Sequence, residues 1–170
     1  MNAILQGRGW KFGDNVDTDV IIPGQYLKFS GAELVAHVME GVDPTFGRKV
    51  QAGDIIVAGK NFGCGSSRET APGVLKDAGI AAVIAPFFAR IFYRNAINLG
   101  LPVLECADAG RIDQEDVLEV RLMEGAIVNL TKSEQYTFRP FPQNVMDILQ
   151  AGGLVKYLES RFANEGDAAR

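Results

Sequence analysis

The feature that most constrains the fold is an alternation of three short apolar runs with two amphipathic segments between residues 55 and 104. The amphipathic segments, 68–78 and 87–99, have helical periodicity, and each is followed by a glycine that favours a helix end. The apolar runs are typical of strands that are buried on both faces. They occupy residues 55–58, 80–85 and 101–104. The order strand, helix, strand, helix, strand predicts parallel βαβ units.

The flanking segments add further β structure and helices. An opening strand is predicted over 9–13, a helix over 31–40, and strands joined by turns over 117–138. Two helices separated by Gly152-Gly153 are predicted near the C-terminus, over 143–150 and 154–163. The predicted fold class is therefore α/β, with a parallel βαβ centre and added β structure.

The length of 170 residues favours one domain. We place that domain at 1–163 and expect a C-terminal tail at 164–170, where the sequence becomes small and polar. The net charge of -4, without a basic stripe, argues against a nucleic-acid partner. The sequence has neither an apolar run of membrane-spanning length nor the pattern of a secretory signal at its start. We expect a cytoplasmic protein that binds no nucleic acid and no membrane.

Metal-binding residue types are sparse. The chain has two cysteines, Cys64 and Cys106, outside any CxxC spacing, and its one histidine is His37. A disulfide between the two cysteines is not implied by so low a count. No metal site is predicted from these residues.

The motif GKNFGCGSSRETAP, residues 59–72, lies between a predicted strand and a predicted helix. Gly63 and Gly65 suit a tight turn and close approach to a ligand, and Arg68 adds a positive charge to the unpaired N–H groups of a helix start. These features favour an anion site for carboxylate or phosphate. Simple helix capping is the alternative, because Ser66 and Glu69 have the spacing of a capping box. Both interpretations remain open at this point.

Three familiar motifs are excluded. No Gly-Lys-Ser/Thr ends the turn, so it is not a nucleotide P-loop. The third glycine of a dinucleotide fingerprint is absent, and the serines lack the spacing of a nucleophile elbow.

The sequence resembles the aconitase swivelling-domain family, which includes the small subunits of 3-isopropylmalate dehydratase and of homoaconitase. The 59–72 motif resembles the family pattern G-x-N-F-G-x-G-S-S-R-E-x-A. Three other stretches agree in order, so the resemblance covers nearly the whole chain. They are GDNVDTDVIIPGQYL (13–27), ARIFYRNAINLGLPVLE (89–105) and FRPFPQNVMDILQAGGLVKYL (138–158).

The resemblance implies an enzyme that isomerises a hydroxy-dicarboxylic or hydroxy-tricarboxylic acid by dehydration and rehydration. Such a reaction requires a base, cationic groups for the carboxylates and a Lewis acid for the leaving hydroxyl. By the family pattern, Ser66 is the base, while Ser67 and Arg68 bind a substrate carboxylate. Asp19 of the Asp17-Thr18-Asp19 element is a supporting residue, as are the motif glycines.

The resemblance also implies a partner. The family's Lewis acid is a 4Fe–4S cluster held by three cysteines, and this chain has two. We therefore expect no cofactor on this chain and a larger, cluster-bearing subunit that completes a hetero-oligomer, such as a heterodimer.

Substrate choice is predicted from the loop Tyr26-Leu27-Lys28-Phe29-Ser30. In the family, an arginine in this loop is associated with a third substrate carboxylate. Here Lys28 is the candidate substrate-binding cation, and it lacks the planar fork of arginine. We favour 3-isopropylmalate and the leucine pathway, with homoaconitase and 2,3-dimethylmalate dehydratase as alternatives. A non-catalytic carboxylate-binding module is an alternative of another class.

Overall fold

A computed structural model describes residues 4–66 and 68–168. Within them, one mixed sheet contains seven strands. The strands are β1 (Ile4–Lys11), β2 (Ile55–Val57), β3 (Ala82–Ala85), β4 (Val103–Glu105), β5 (Val117–Arg121), β6 (Ala126–Asn129) and β7 (Glu134–Thr137). Their spatial order is β4-β3-β2-β1-β5-β6-β7.

Strand β1 joins a parallel half of the sheet to an antiparallel half. Its C-terminal part, Gly9 to Lys11, pairs in parallel with β2, and its N-terminal part, Ile4 to Arg8, pairs antiparallel with β5. Strands β2, β3 and β4 continue in parallel, whereas β5, β6 and β7 form an antiparallel meander. The predicted parallel centre and added β structure are confirmed.

Seven α-helices and two short 3-10 helices accompany the strands in the described part of the chain. The α-helices are α1 (Thr18–Ile21), α2 (Gly31–Val35), α3 (Phe46–Lys49), α4 (Thr70–Asp77), α5 (Arg90–Leu99), α6 (Gln143–Ala151) and α7 (Leu154–Ala168). The 3-10 helices span Gly24–Tyr26 and Ala107–Arg111. Helices α4 and α5 form the two crossovers of the parallel half, as predicted.

The core surrounds the parallel strands, and β2 and β3 are buried on both faces. Every residue of β2 and β3 is buried. Helix α5 packs against α4, α6 and α7, and it ends at Gly100 with φ of +79°. Lys76 of α4 ties the helices together, because its Nζ donates to the carbonyl oxygens of Leu99 and Gly152, near the ends of α5 and α6.

Some element bounds differ from the prediction. Strand β1 begins at Ile4 instead of residue 9, because residues 4 to 8 pair with β5, a partner distant in sequence. The helix predicted over 31–40 ends at Val35. After this helix, the N–H of Met39 donates to the carbonyl of Ile21 instead of to an intrahelical carbonyl, and Val38 and Met39 are buried in the core.

At the C-terminus, α7 continues to Ala168, five residues past the predicted end at 163. The division into a domain at 1–163 and a tail at 164–170 stays a prediction, and residues 169 and 170 lie outside the described part. No helix of the described residues combines the length and the apolar character needed to cross a membrane.

Candidate active site

The loop that joins β2 to α4 carries the 59–72 motif and is shaped by two glycines. Gly63 and Gly65 have φ of +76° and +90°, in the left-handed region that glycine adopts without steric cost. A Cβ built on Gly63 would stand 2.1 Å from Cγ of Phe92 in the first turn of α5. Phe92 is buried and meets Phe62 of the loop edge to face, with ring centroids 5.3 Å apart. The start of α5 therefore holds the loop, and only glycine at position 63 permits this contact.

The Asp17-Thr18-Asp19 element runs alongside the same loop. The N–H of Gly63 donates to the carbonyl of Val16 at 2.7 Å, and the N–H of Thr18 donates to the carbonyl of Cys64 at 2.9 Å. Asp17 and Cys64 form a parallel bridge. These backbone bonds join two segments that are distant in the sequence and place Asp19 beside the motif.

Ser66 presents an exposed side chain on a fixed backbone. Its carbonyl oxygen accepts a hydrogen bond of 3.0 Å from Oγ1 of Thr18, a residue that is only 2% exposed. The Ser66 hydroxyl makes no hydrogen bond with another described residue. The backbone of Ser66 is thus anchored while its hydroxyl is available to a ligand.

The helix-capping interpretation of Ser66 is wrong. Helix α4 begins at Thr70, its N-cap residue is Glu69, and no side chain caps it. Pro72 is the third residue of α4, where a missing N–H removes no intrahelical hydrogen bond. Pro72 therefore does not interrupt the helix. Ser66 therefore lies in the loop before α4 and does not cap that helix.

Arg68 is held by Asp19. Nη1 of Arg68 lies 2.5 Å from Oδ1 of Asp19 and 3.4 Å from the carbonyl oxygen of Ile22. The Arg68 side chain is 23% exposed and that of Asp19 is 59% exposed. A Cβ built on Gly24 would lie 3.7 Å from Nη2 of Arg68, so the guanidinium passes close to the backbone there. Both polar contacts use Nη1, which leaves Nη2 and Nε without a partner among the described residues.

Ser66 and Arg68 border a cavity of about 350 Å³. Its volume is in the range of small-ligand pockets. The cavity lies beyond the carboxyl ends of the parallel strands, where ligands bind in open α/β sheets. Its lining comes from α1, the motif and the start of α5, namely Thr18, Gly63, Gly65, Ser66, Arg68, Ala89, Arg90, Ile91 and Phe92.

The N-terminal end of α5 places positive charge beside this cavity. Ala89, the N-cap residue, offers no side-chain hydrogen bond to the helix. The first three N–H groups of an α-helix have no intrahelical acceptor, and the helix dipole is positive at that end. Arg90 adds a full charge at the first helical position. The helix start that lines the cavity with Ser66 therefore belongs to α5, and not to the helix that follows the motif.

One predicted site residue does not line the described cavity, and another cannot be placed. Lys28 is exposed, lies with its Nζ 5.2 Å from the ring centroid of Phe29, and does not line the cavity. Ser67 lies outside the described residues. The structure brings together the other predicted site residues, which are Asp19, Gly63, Gly65, Ser66 and Arg68.

Comparison with known proteins identifies the family. Residues 36–109 match the family model described as the aconitase C-terminal domain. The chain is 55% identical over 165 residues to the isopropylmalate/citramalate isomerase small subunit of Methanocaldococcus jannaschii, with 96% of this chain and 98% of that protein covered. It is 57% identical over 159 residues to the methanogen homoaconitase small subunit of Methanothermobacter thermautotrophicus, with 92% of each covered.

The chain belongs to the small-subunit branch of the aconitase C-terminal domain family. A solved structure agrees: the crystal structure of 3-isopropylmalate dehydratase (leuD) from M. jannaschii has a TM-score of 0.92 and 48% identity, with 97% of this chain and 99% of that chain covered. The predicted resemblance and the predicted fold class are both confirmed.

Three residues of this small-subunit site were not singled out in the sequence. Thr18 anchors Ser66, Phe92 packs on Gly63, and Arg90 lines the cavity. All three lie in stretches that carry the family resemblance. Their roles had no local signal, because each depends on a contact with a segment distant in sequence.

No metal centre is formed by the described residues of this family member. They contain no group of three or more His, Cys, Asp and Glu side chains placed to hold a metal ion. Cys64 is half-buried beside the site, and Cys106 is buried just after β4. Both are free thiols, and burial raises the pKa of the Cys106 thiol.

Proposed function

We propose that the chain is the small subunit of a hydro-lyase that interconverts 2-isopropylmalate and 3-isopropylmalate by dehydration and rehydration, in leucine biosynthesis. One observation carries the proposal. Ser66, with an unengaged hydroxyl, and Arg68, oriented by Asp19, border the same cavity in a chain of this family.

Ser66 is proposed as the base that removes the proton beside a substrate carboxylate. A serine is a poor base unless its alkoxide is stabilised by positive charge. Arg90, Arg68 and the positive end of α5 all border the cavity that Ser66 lines. The bond from Thr18 to the Ser66 carbonyl fixes the backbone, so that the hydroxyl meets the substrate at a set position.

Arg68 is proposed to bind a substrate carboxylate through Nη2 and Nε. The contacts of Nη1 with Asp19 and Ile22 orient the guanidinium plane before substrate arrives. Ser67 is proposed as a further donor to this carboxylate. Lys28 is proposed to reach the distal part of the substrate from the 24–30 loop, whose Gly24 lies beside Arg68.

The Lewis acid for the leaving hydroxyl must come from another subunit. The family's 4Fe–4S cluster needs three thiolates, and the residues of this chain do not fit it. We propose that a large subunit carries the cluster and that the complete site forms where the two subunits meet. This chain then supplies the base and the carboxylate-binding groups.

We infer the substrate from the 26–30 loop, because overall sequence identity does not distinguish isopropylmalate enzymes from homoaconitases. The isopropylmalate/citramalate relative and the homoaconitase relative are similar to this chain to nearly the same degree. The loop has no arginine for a third carboxylate, and this absence favours isopropylmalate. The homoaconitase relative keeps homoaconitate as the second candidate, and 2,3-dimethylmalate is a third.

The test is reconstitution under anaerobic conditions. The full chain is combined with the large subunit from the same cells, and iron, sulfide and dehydration of 3-isopropylmalate, homocitrate and 2,3-dimethylmalate are measured. We expect turnover of 3-isopropylmalate only in the iron-containing complex. Turnover by this chain alone in iron-free buffer would contradict the proposal that a large subunit is required. Faster turnover of homocitrate or 2,3-dimethylmalate would identify that acid as the substrate instead.

A Ser66→Ala variant separates this function from a non-catalytic carboxylate-binding module. In the enzyme, the variant assembles normally and loses turnover. In a binding module, carboxylate binding would continue without any turnover to lose.

A further inference from the structure

A second cavity, of about 430 Å³, lies next to the candidate active site. It is formed between α5, the end of β4 and the segment that leads into α6. Most of its lining is apolar or aromatic, with Phe88, Val103, Pro140, Phe141, Pro142 and Val145 as the main contributors. The proposed reaction does not use this second cavity.

The charges around this second cavity are unbalanced. Arg90, Arg94 and Arg139 line it, and Glu105 is the one acidic residue among the described lining. None of the three arginines lies within 4.0 Å of a carboxylate of a described residue, although seven arginine–carboxylate pairs occur among the other described residues. Guanidinium groups are among the donors that most readily pair with carboxylates in protein interfaces.

Tyr93, Glu105 and Arg139 are polar residues that line the same cavity. Burial raises the pKa of the Tyr93 hydroxyl, the carboxylate of Glu105 raises it further, and Arg139 opposes them. The hydroxyl therefore lies within electrostatic reach of both charged groups. It forms no hydrogen bond with a described residue. Arginine and tyrosine around an apolar centre form the side-chain set that is enriched at interface hot spots.

The second cavity adjoins the candidate active site at one residue. Arg90 lines both cavities. Next to it, the large apolar side chains of Phe87 and Ile91 are 44% and 52% exposed. Together these residues make a surface of apolar and cationic groups that begins at the catalytic cavity.

We propose that this second cavity is a docking site for the large subunit, and that it receives an acidic segment of that subunit which also carries an apolar side chain. The carboxylates pair with Arg94 and Arg139, and the apolar side chain packs against Phe141. The inference rests on the proposed function, because that function requires a large subunit at the adjacent cavity. Docking here brings the partner into contact with Arg90, which lines both cavities. Assembly of the subunits would then affect the candidate active site through Arg90.

The test measures association of the full chain with the large subunit at low and high salt. The variant Arg94→Glu/Arg139→Glu is compared with Arg48→Glu, a charge reversal at an exposed residue in α3. Circular dichroism and the Tm of each variant report on its fold. We expect the double variant to raise the Kd about 30-fold or more, and to lose most of the salt dependence, while Arg48→Glu changes neither.

An unchanged Kd in a folded double variant would overturn the docking site. The isolated chain is also titrated with 4-methylpentanoate and with the matching amide. Binding of the acid that requires Arg94 and Arg139, with subunit association unchanged, would assign the cavity to a small carboxylate instead. The Ser66→Ala control keeps the two proposals apart, since loss of turnover at normal Kd supports the function whatever the docking result.

Discussion

The imidazole of His37 lies flat on the ring of Tyr26, with centroids 3.8 Å apart and planes 6° from parallel. Glu40 joins the pair, with Oε2 at 2.6 Å from Nδ1 of His37 and Oε1 accepting from the Tyr26 hydroxyl at 3.4 Å. Phe29 stacks on the same histidine, at 5.7 Å. His37 thus supports the loop that carries Lys28, the residue proposed to influence substrate choice.

Replacing His37 tests this support. His37→Ala removes the stack on both aromatic rings, so the loop loses its backing and the KM for 3-isopropylmalate rises several-fold with little change in kcat. His37→Phe keeps a flat ring and is expected to restore most of the KM. Steady-state kinetics of the complex check both variants. A several-fold fall of kcat in His37→Ala at constant KM would instead give the His37, Tyr26 and Glu40 group a role in the chemical step.

Ser66 and Thr18 provide a matched pair for the catalytic proposal. Ser66→Ala removes the base but keeps the carbonyl that Thr18 anchors, so kcat falls about 10³-fold while the Tm is unchanged. Thr18→Val keeps the base and removes the anchor. We expect it to lower kcat about 10-fold to 100-fold and to lower stability by about 1 kcal/mol. Single-turnover assays and thermal unfolding distinguish the two losses.

The pairing of Arg68 with Asp19 predicts a graded effect on substrate binding. Arg68→Lys keeps the charge but loses the planar fork, so KM rises about 10-fold to 100-fold. Asp19→Asn keeps the size of the side chain and weakens the orientation of Arg68, with a smaller rise in KM. If Asp19→Asn had the larger effect, Asp19 would have a role beyond orienting the arginine.

The two motif glycines should differ in stability when each is changed to alanine. Gly63→Ala adds a methyl group 2.1 Å from the Phe92 ring at a positive φ, so we expect a loss of about 3 kcal/mol or failure to fold. At Gly65 the nearest atom to the added methyl is 3.4 Å away, which leaves the backbone strain of about 1 kcal/mol. Urea unfolding measures both, and equal losses would mean that the Phe92 contact can relax.

Asp116 predicts acid sensitivity. Burial alone would raise its pKa, but the N–H of Asp113, the amide of Asn129 and the Lys132 ammonium outweigh this effect and hold the pKa below its ordinary value. A lowered folded-state pKa stabilises the fold above the unfolded-state value of about 3.9, and the stability is lost as pH falls through the folded value. Asp116→Asn should therefore flatten the free energy of unfolding against pH between about pH 5 and pH 2. Urea melts across that range provide the check, and an unchanged slope would contradict it.

Part of the site was accessible from the sequence because its signals are local. Gly63 and Gly65 were expected at a strand-to-helix turn, and both adopt positive φ there. The capping interpretation failed for a physical reason. Ser66 and Glu69 have the spacing of a capping box, but helix α4 begins only at Thr70 with Glu69 as its N-cap residue, so Ser66 lies too far ahead of the helix to cap it.

The parallel centre could be predicted without the structure, because apolar runs, helical periodicity and terminal glycines are properties of short stretches of chain. The residue types that the motif presents are likewise read directly from the chain. Three relationships became visible only in the folded chain: Thr18 bonds to the Ser66 carbonyl, Asp19 pairs with Arg68, and the N-terminal end of α5 lines the cavity. These relationships depend on packing between segments that are far apart in the chain, and no local pattern records such packing.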